Sequence, residues 1–268
     1  MGLLSSMKQN VFSVVNFFEH QRCVRLSKNY LIESKCRRVY FYHIRKCGGT
    51  SLNYMFLASG GRNGAENYKI LARRNDHRLI IDDRVFVGWN KKLIEGGHYF
   101  YAFSHMPQHK FQLPPDTFTI TGFRDPVERI LSHYKMILEM EKYNIRHPAL
   151  KQEKRWVKKS FIDFLRKIPR EHLLNEIYMF SRSFNVDEAF ENIIKCSFVY
   201  FVDTFTEDIA KLFGCLRFNS PIQHIRKGSL LFEIEPMEML ELQRVVQPAV
   251  ALVKRLKEYQ KERKNHKY

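Results

Sequence analysis

Two short segments of this 268-residue chain combine cations, glycines and hydroxyls in an order that could bind a phosphate group. The first lies between an apolar run and the helix-like stretch LNYMFL; it consists of Arg45, Lys46, Cys47, Gly48, Gly49, Thr50 and Ser51. Glycines let backbone N–H groups approach an anion, and a helix N-terminus adds a favourable dipole. Lys46 supplies a charge that can follow a phosphate through a reaction. Because the lysine precedes the glycines, this is not a Walker A loop, and an ordinary strand-to-helix turn is the alternative.

The second segment begins at Arg124, where the apolar run FTITGF ends, and continues as DPVER. Open α/β sheets bind ligands at the carboxyl ends of their strands, and a guanidinium there can hold a second phosphate through two hydrogen bonds. Ser132 follows within the next helical turns and can donate a hydroxyl hydrogen bond. Asp125 suits the N-cap of a helix that starts at Pro126. For Arg129, an ion pair on the surface of that helix is the alternative to a functional role.

Four apolar runs predict buried strands that would position these segments: Val39–Ile44, Tyr99–Phe103, Phe118–Phe123 and Phe198–Val202. Each is followed by a loop and then by a helical pattern, which favours parallel strands joined by right-handed crossovers. We therefore predict an α/β fold, a central parallel β-sheet flanked by helices, in a single domain over residues 1–268. Residues 1–38 are predicted to form an N-terminal extension and residues 253–268 a basic C-terminal helix or tail. The stretch from Pro236 onward predicts one long helix, or two broken near Pro248.

The composition excludes wholesale disorder and leaves a surplus of positive charge to explain. Apolar residues make up 44% of the chain and aromatic residues 14%, enough to bury a sizeable core. The formal net charge is +17, and residues 1–38 and 253–268 each hold seven basic and two acidic side chains. Such terminal runs are typical of solvated faces. The charge alone is compatible with phosphate-bearing ligands, nucleic acid, anionic glycans or an acidic membrane surface.

The cysteines and the hydropathy bear on the cellular compartment. The five cysteines are widely spaced and form no C-x-x-C pair, which favours reduced thiols. No stretch approaches the roughly 20 apolar residues of a membrane span. The apolar run from Val11 to Phe18 is interrupted by polar residues and lacks a cleavage signature, so we expect an amphipathic surface helix there. These features predict a cytoplasmic location, with peripheral attachment to a membrane as the alternative.

Taken together, HIRKCGGTSL and TGFRDPVERILSHY resemble the sulfotransferases that use 3′-phosphoadenosine 5′-phosphosulfate (PAPS). The similarity is greatest to the carbohydrate, heparan-type branch, a group like sulfotransferase family 2, and weaker matches extend it from Val39 to Ser229. The stretch FVDTFTEDIAKL is similar to the late strand and helix of that family, and the loop before Ser229 to its late basic loop. One departure is Arg45, which stands where the family commonly has proline. The resemblance implies a P-loop-like three-layer fold.

The resemblance also implies a reaction, the transfer of a sulfuryl group from PAPS to a hydroxyl of a carbohydrate or glycoconjugate, with adenosine 3′,5′-bisphosphate (PAP) as product. Residues 45–51 would bind the 5′-phosphate, and Lys46 would stabilise the charge that grows on the bridging oxygen. Arg124 and Ser132 would hold the 3′-phosphate. The late basic loop would close over that phosphate with Arg226, Lys227, Gly228 and Ser229. No metal is implied, because lysine and arginine neutralise the charge.

A general base must take the proton of the acceptor hydroxyl, and histidine is the first candidate among side chains that titrate near neutrality. Of the eleven histidines, His105 follows a predicted strand and is similar to a histidine that family members carry upstream of the F-R-D-P strand. His109 and the carboxylates Glu66 and Glu95 are the alternatives. His43 is expected to be a satisfied core residue. His133 is expected to face solvent or to pack.

Two other classes of protein compete with the sulfotransferase. A P-loop-like kinase lacks support because G-K-[ST] and a clear Mg²⁺-binding carboxylate are missing. A nucleic-acid-binding protein is supported by the charge but by no recognisable motif, and a sulfotransferase-like binder without activity is a further alternative. The acceptor surface is predicted to lie on residues 59–98 and 139–160. Basic residues in the second of these, Arg146, Lys154, Arg155 and Lys158, suggest an acidic glycan or a lipid head group, or else a solvated helix.

Overall fold

Residues 17–32, 35–145, 147–157, 160–222 and 232–265 are described by a computed structural model of the chain. Within these ranges a six-stranded sheet has the order β2-β3-β4-β1-β5-β6. Its strands are β1 (Arg38–Tyr42), β2 (Arg78–Ile81), β3 (Arg84–Gly88), β4 (Tyr101–Ser104), β5 (Thr117–Phe123) and β6 (Phe198–Phe201). All neighbours are parallel except β2 and β3, which form an antiparallel hairpin at one edge.

The helices follow the strands along the chain. Residues 17–27 are helical and are called α1. The others are α2 (Gly49–Leu57), α3 (Gly64–Arg73), α4 (Lys91–Gly96), α5 (Pro126–Lys142), α6 (Leu150–Glu153), α7 (Phe161–Lys167), α8 (Arg170–Leu173), α9 (Asn175–Tyr178), α10 (Val186–Ile193), α11 (Phe205–Leu216) and α12 (Pro236–Asn265). None of them, in the part of the chain that the structure describes, is both long enough and apolar enough to cross a membrane. The five cysteines, all within the described ranges, form no disulfide with one another.

Both faces of the sheet are buried, as the continuous apolar character of β1 requires. Tyr40 and Tyr42 point to one face and pack with side chains from α1, α4, α10 and α12. Val39 and Phe41 point to the other and pack with α2, α3 and α11. A third cluster joins α5 and α7 to the start of α12. The predicted three-layer α/β fold is therefore confirmed.

All four predicted strands are present, with ends that differ by up to two residues. The prediction missed β2 and β3, whose four- and five-residue strands are joined by Asp82 and Asp83. Both aspartates have positive φ, 46° and 59°, as a two-residue hairpin turn of this kind requires. The C-terminal stretch forms one helix that contains Pro248 within it.

Candidate functional site

The loop after β1 takes a backbone shape that depends on its glycines. Lys46 and Gly48 both lie in the left-handed region, with φ of 67° and 76°. A Cβ on Gly48 would also come within 3.1 Å of the Phe205 ring, and a Cβ on Gly49 would overlap the ring of His43. Only glycine avoids both contacts, so the chain can turn sharply from β1 into α2.

The N-terminus of α2 presents backbone N–H groups at the end of this loop. Gly48 is the N-cap, and among the described residues no side chain caps the helix. The carbonyl of Gly48 accepts from the N–H of Ser51 at 3.0 Å and of Leu52 at 3.3 Å. Helix geometry leaves the amides of Gly49 and Thr50 without intrahelical acceptors. Together with the helix dipole, these amides make a site suited to an anion.

Tyr200 of β6 fixes the backbone of the loop from the core. The Tyr200 hydroxyl donates to the carbonyl oxygen of Cys47 at 2.8 Å, within the core. Gly122 makes room for this contact, because a Cβ there would overlap the Tyr200 ring. Burial raises the pKa of the Cys47 thiol to about 12, and Glu176 adds to the shift. Cys47 is therefore a neutral packing residue. Sequence reasoning missed Tyr200, for which Gly122 in the motif TGFRDP was the available signal.

The second segment stands next to the loop because β1 and β5 are adjacent and parallel, with Tyr42 opposite Thr121. Arg124 follows β5 and donates from Nη2 to Glu128 at 2.8 Å, with 28% of its side chain exposed. The carboxylate of Asp125 accepts from the Glu128 N–H at 2.9 Å, which confirms the predicted N-cap. Ser132 lies half-buried on the second turn of α5.

Arg129 does not form the surface ion pair that was the alternative to a functional role; its ion pair lies in the core. Its side chain is fully buried and donates from Nε to Glu176 of α9 at 2.5 Å. Its Nη2 also donates to the carbonyls of His172 and Leu173, at 3.0 and 2.6 Å. That alternative was wrong because α8 and α9, which are distant in sequence, cover this face of α5. Arg129 thus anchors those short helices beside the loop.

His105 lies half-buried just beyond β4, the other neighbour of β1. Its Nδ1 is 2.7 Å from the carbonyl oxygen of His43. A carbonyl can only accept, so Nδ1 carries the proton and Nε2 keeps its lone pair. Burial, and then the charge of Arg45, lower the pKa of His105 to about 4. His105 is therefore neutral at physiological pH, with Nε2 able to accept a proton.

His43 lies between His105 and the loop. The two imidazole rings are 4.3 Å apart, and the His43 ring also lies where a side chain on Gly49 would have to go. His43 is buried as expected, but its Nδ1 has no hydrogen-bond partner among the described residues, so it is not the satisfied core residue that was predicted. Burial, His105 and the nearby cations lower its pKa well below the usual range.

The alternative bases are exposed and lie on the turn after β4, on α3 and on α4. His109 is exposed in a 3₁₀ turn and packs against the Tyr178 ring at 5.3 Å. Glu66 lies exposed in the first turn of α3. Glu95 lies exposed on α4, where it accepts from the Gln112 N–H at 3.3 Å and pairs with Lys91 at 3.7 Å.

Several predicted residues fall outside the described ranges. They are Arg226, Lys227, Gly228 and Ser229 of the late basic loop, with Arg146 and Lys158 of the second insertion. Among the described residues, no group of three or more histidine, cysteine or acidic side chains could hold a metal ion.

A sequence profile of the sulfotransferase family matches residues 28–234. No curated protein matches the chain. Among solved structures, the chain is similar to a sulfotransferase from Alicyclobacillus acidocaldarius, at 12% sequence identity and a TM-score of 0.42 over 82% of this chain and 94% of that one. Because the family profile covers most of the chain, this protein belongs to the sulfotransferase family.

Proposed function

We propose that this sulfotransferase moves the sulfuryl group of PAPS to a hydroxyl of a carbohydrate or glycoconjugate. The observation that carries the proposal is the meeting of three groups at adjacent strand ends. They are the open N-terminus of α2, the guanidinium of Arg124 and the neutral imidazole of His105. An anionic donor and a base for the acceptor hydroxyl need these groups side by side.

The donor would be held by its two phosphates. The amides of Gly49 and Thr50 would bind the 5′-phosphate, and the Thr50 hydroxyl could assist. Arg124 and Ser132 would take the 3′-phosphate. Glu128 already accepts a hydrogen bond from Arg124 and would have to share it with the ligand. The residues of the late basic loop, Arg226 to Ser229, remain part of the proposal through the family resemblance alone.

In the proposed transfer, Nε2 of His105 takes the proton as the acceptor oxygen forms its bond to sulfur. The bond between sulfur and the bridging oxygen breaks, and PAP leaves with the electron pair. Lys46 would stabilise the charge on that bridging oxygen. The negative charge of a bound donor raises the pKa of His105, since a nearby anion favours the imidazolium. The pKa thus moves toward neutrality when the base is needed.

The acceptor is proposed to be anionic. Lys151, Lys154 and Arg155 are exposed on and after α6, in one of the two predicted acceptor segments. Glu153 of the same helix is buried and pairs with Arg45 of the loop, which brings these cations to the rim of the candidate site. Exposed cations there would attract a carboxylated or sulfated saccharide, or a glycolipid head group.

Thermal-shift titration with PAP tests the donor assignment. PAP at 100 times its Kd should raise the Tm by about 5 °C or more, because a ligand of the native state stabilises it. ATP with Mg²⁺ and duplex DNA should not. Arg124→Ala should remove most of the PAP shift, whereas Arg62→Ala should keep it, since Arg62 is also an exposed arginine, paired with Asp82 at the other end of the sheet. Stabilisation by ATP–Mg²⁺ alone would contradict the proposal.

Radiolabelled PAPS then tests the acceptor. We expect incorporation into acidic saccharides and little into their neutral counterparts. Equal labelling of both would show that the basic surface of α6 does not select the acceptor.

A further inference from the structure

One buried carboxylate connects the loop after β1 to the chain segment between α5 and β6. Glu153 of α6 is 3% exposed. Its Oε1 pairs with Nη1 of Arg45, and its Oε2 accepts from Nε2 of His133 at 3.0 Å. The backbone N–H of Arg45 donates to the side-chain oxygen of Asn175 at 3.2 Å. The segment that carries α6 and α9 therefore holds the first residue of the loop from two sides.

Aromatic and imidazole rings enclose this contact. His133 is fully buried on α5, and the rings of Trp156, Phe164 and His172 lie 5.9 to 6.2 Å from it. Exclusion of water strengthens interactions between the charges that remain. Burial alone would raise the pKa of Glu153, but the hydrogen bond from His133 and the charge of Arg45 lower it to about 2. Burial lowers the pKa of His133 to about 4, so His133 donates as a neutral ring.

The same ion pair faces the candidate base. The charged and titratable groups around His105 are Arg45 of the loop, Glu153 of α6, His172 of α8 and His43 of β1. Arg45 disfavours the imidazolium and Glu153 favours it. The effects of the two charges on the pKa of His105 therefore oppose each other as long as Arg45 and Glu153 remain paired.

We propose that Glu153 is a positioning residue for sulfuryl transfer. It holds Arg45 beside His133, so that the loop bearing Lys46 keeps its shape and the positive charge of Arg45 is opposed at His105 by a negative one. The inference rests on the proposed function, in which the loop binds the donor and His105 is the base. Arg45 stands where the family commonly has proline. Unlike proline, it carries a charge, and Glu153 neutralises that charge.

The affinity for PAP tests whether Glu153 positions the loop. Glu153→Gln keeps the size of the side chain but removes its charge and replaces one of its two acceptor oxygens by an NH₂ group, which can only donate. Isothermal titration at pH 7.5 should show PAP binding weakened roughly tenfold, because a small misplacement of a binding loop has effects of this order. Asp116→Asn is the control, since Asp116 also pairs with an arginine, Arg38, at the opposite end of β1. It should leave PAP affinity unchanged.

The effect of the ion pair on His105 is tested by titrating His105, using NMR of histidine-labelled protein bound to PAP. Arg45→Met should raise the pKa of His105 by about half a unit or more, from the size of a single charge at this range. The double variant Arg45→Met/Glu153→Gln should bring it back toward the wild-type value, and Glu153→Gln alone should lower it. A general loosening of the fold would instead shift the pKa of His105 in the same direction in all three variants.

Wild-type PAP affinity in Glu153→Gln, or shifts of the same sign in the three variants, would overturn the inference. The failure of the proposed function has a different signature, which is no PAP binding by the wild-type protein. If His105 titrates as expected but is not needed for turnover, Glu153 still positions the loop and only the base assignment is lost.

Discussion

The tautomer of a single imidazole decides whether this site can take a proton. In His105 the backbone oxygen of His43 holds the proton on Nδ1, which leaves Nε2 as the acceptor. The arrangement needs no carboxylate to orient the ring, unlike a Ser-His-Asp triad. The proposed base is thus oriented by the main chain just after β1, in the segment that leads into the proposed donor loop.

His105→Asn is expected to lower turnover by roughly 10²–10⁴-fold, the usual contribution of a general base, and to leave PAP affinity within about twofold of wild type. His109→Asn is the matched control, because His109 is exposed and packs only at the surface. Steady-state rates with labelled PAPS and calorimetry with PAP measure the two effects. Near wild-type turnover in His105→Asn would show that another group is the base.

At the scale of elements, the site is made where two strand-to-helix turns meet. The turn from β1 to α2 and the turn from β5 to α5 start from adjacent strands. Both turns are encoded locally, the first by Gly48 and Gly49 and the second by the Asp125 cap and Pro126. Local encoding explains why the motifs predicted these turns without knowledge of the rest of the fold.

Gly49→Ala should disrupt the first turn, because the new methyl group would overlap the His43 ring. We expect a loss of about 1–3 kcal/mol in the free energy of unfolding and a marked loss of PAP binding. Gly214→Ala is the control: Gly214 lies on the exposed face of α11 with nothing within 4 Å of an added Cβ. It should be neutral or stabilising by about 0.5–1 kcal/mol. Urea denaturation distinguishes the two, and equal stabilities would contradict the overlap.

The hairpin of β2 and β3 is an element that the sequence pattern did not predict. Its strands are short and bounded by charged residues, and its turn of two aspartates lacks the usual glycine. The antiparallel edge is stabilised by pairing with β4, a contact that a local pattern does not contain. Residues 59–98, interpreted from the sequence as an acceptor insertion, therefore supply two strands of the sheet.

At the scale of the whole molecule, three buried histidines lie in or beside the candidate site. His43, His105 and His133 have pKa values lowered by burial, to about 4 in the last two. An unfolded chain titrates its histidines near 6.5, so between pH 6.5 and 4 the unfolded state binds more protons than the folded state. Stability must then fall as the pH falls through this window.

We expect the free energy of unfolding to decrease by several kcal/mol in total between pH 7 and pH 4.5, at about 1.4 kcal/mol for each unit of pKa shift. Urea denaturation at several pH values measures the slope. His133→Asn should reduce it, because one of the titrating groups is gone. A stability that stays constant over this range would show that these histidines bind protons equally in the folded and unfolded states, so that burial does not lower their pKa values.

The sequence by itself determined the loop of residues 45–51, the Arg124 segment, the α/β class and the family resemblance. All of these depend on neighbours within a few positions, through glycine φ angles, helix caps and hydrophobic periodicity. Only the tertiary structure decided the partners of the buried charges and the tautomer of His105, the proposed base. Arg45 meets Glu153 across 108 positions, Arg129 meets Glu176 across 47, and His105 meets the His43 carbonyl across 62. A buried polar group needs a hydrogen-bond partner, and folding can supply one from a residue far away in the sequence. A local sequence pattern therefore does not identify that partner.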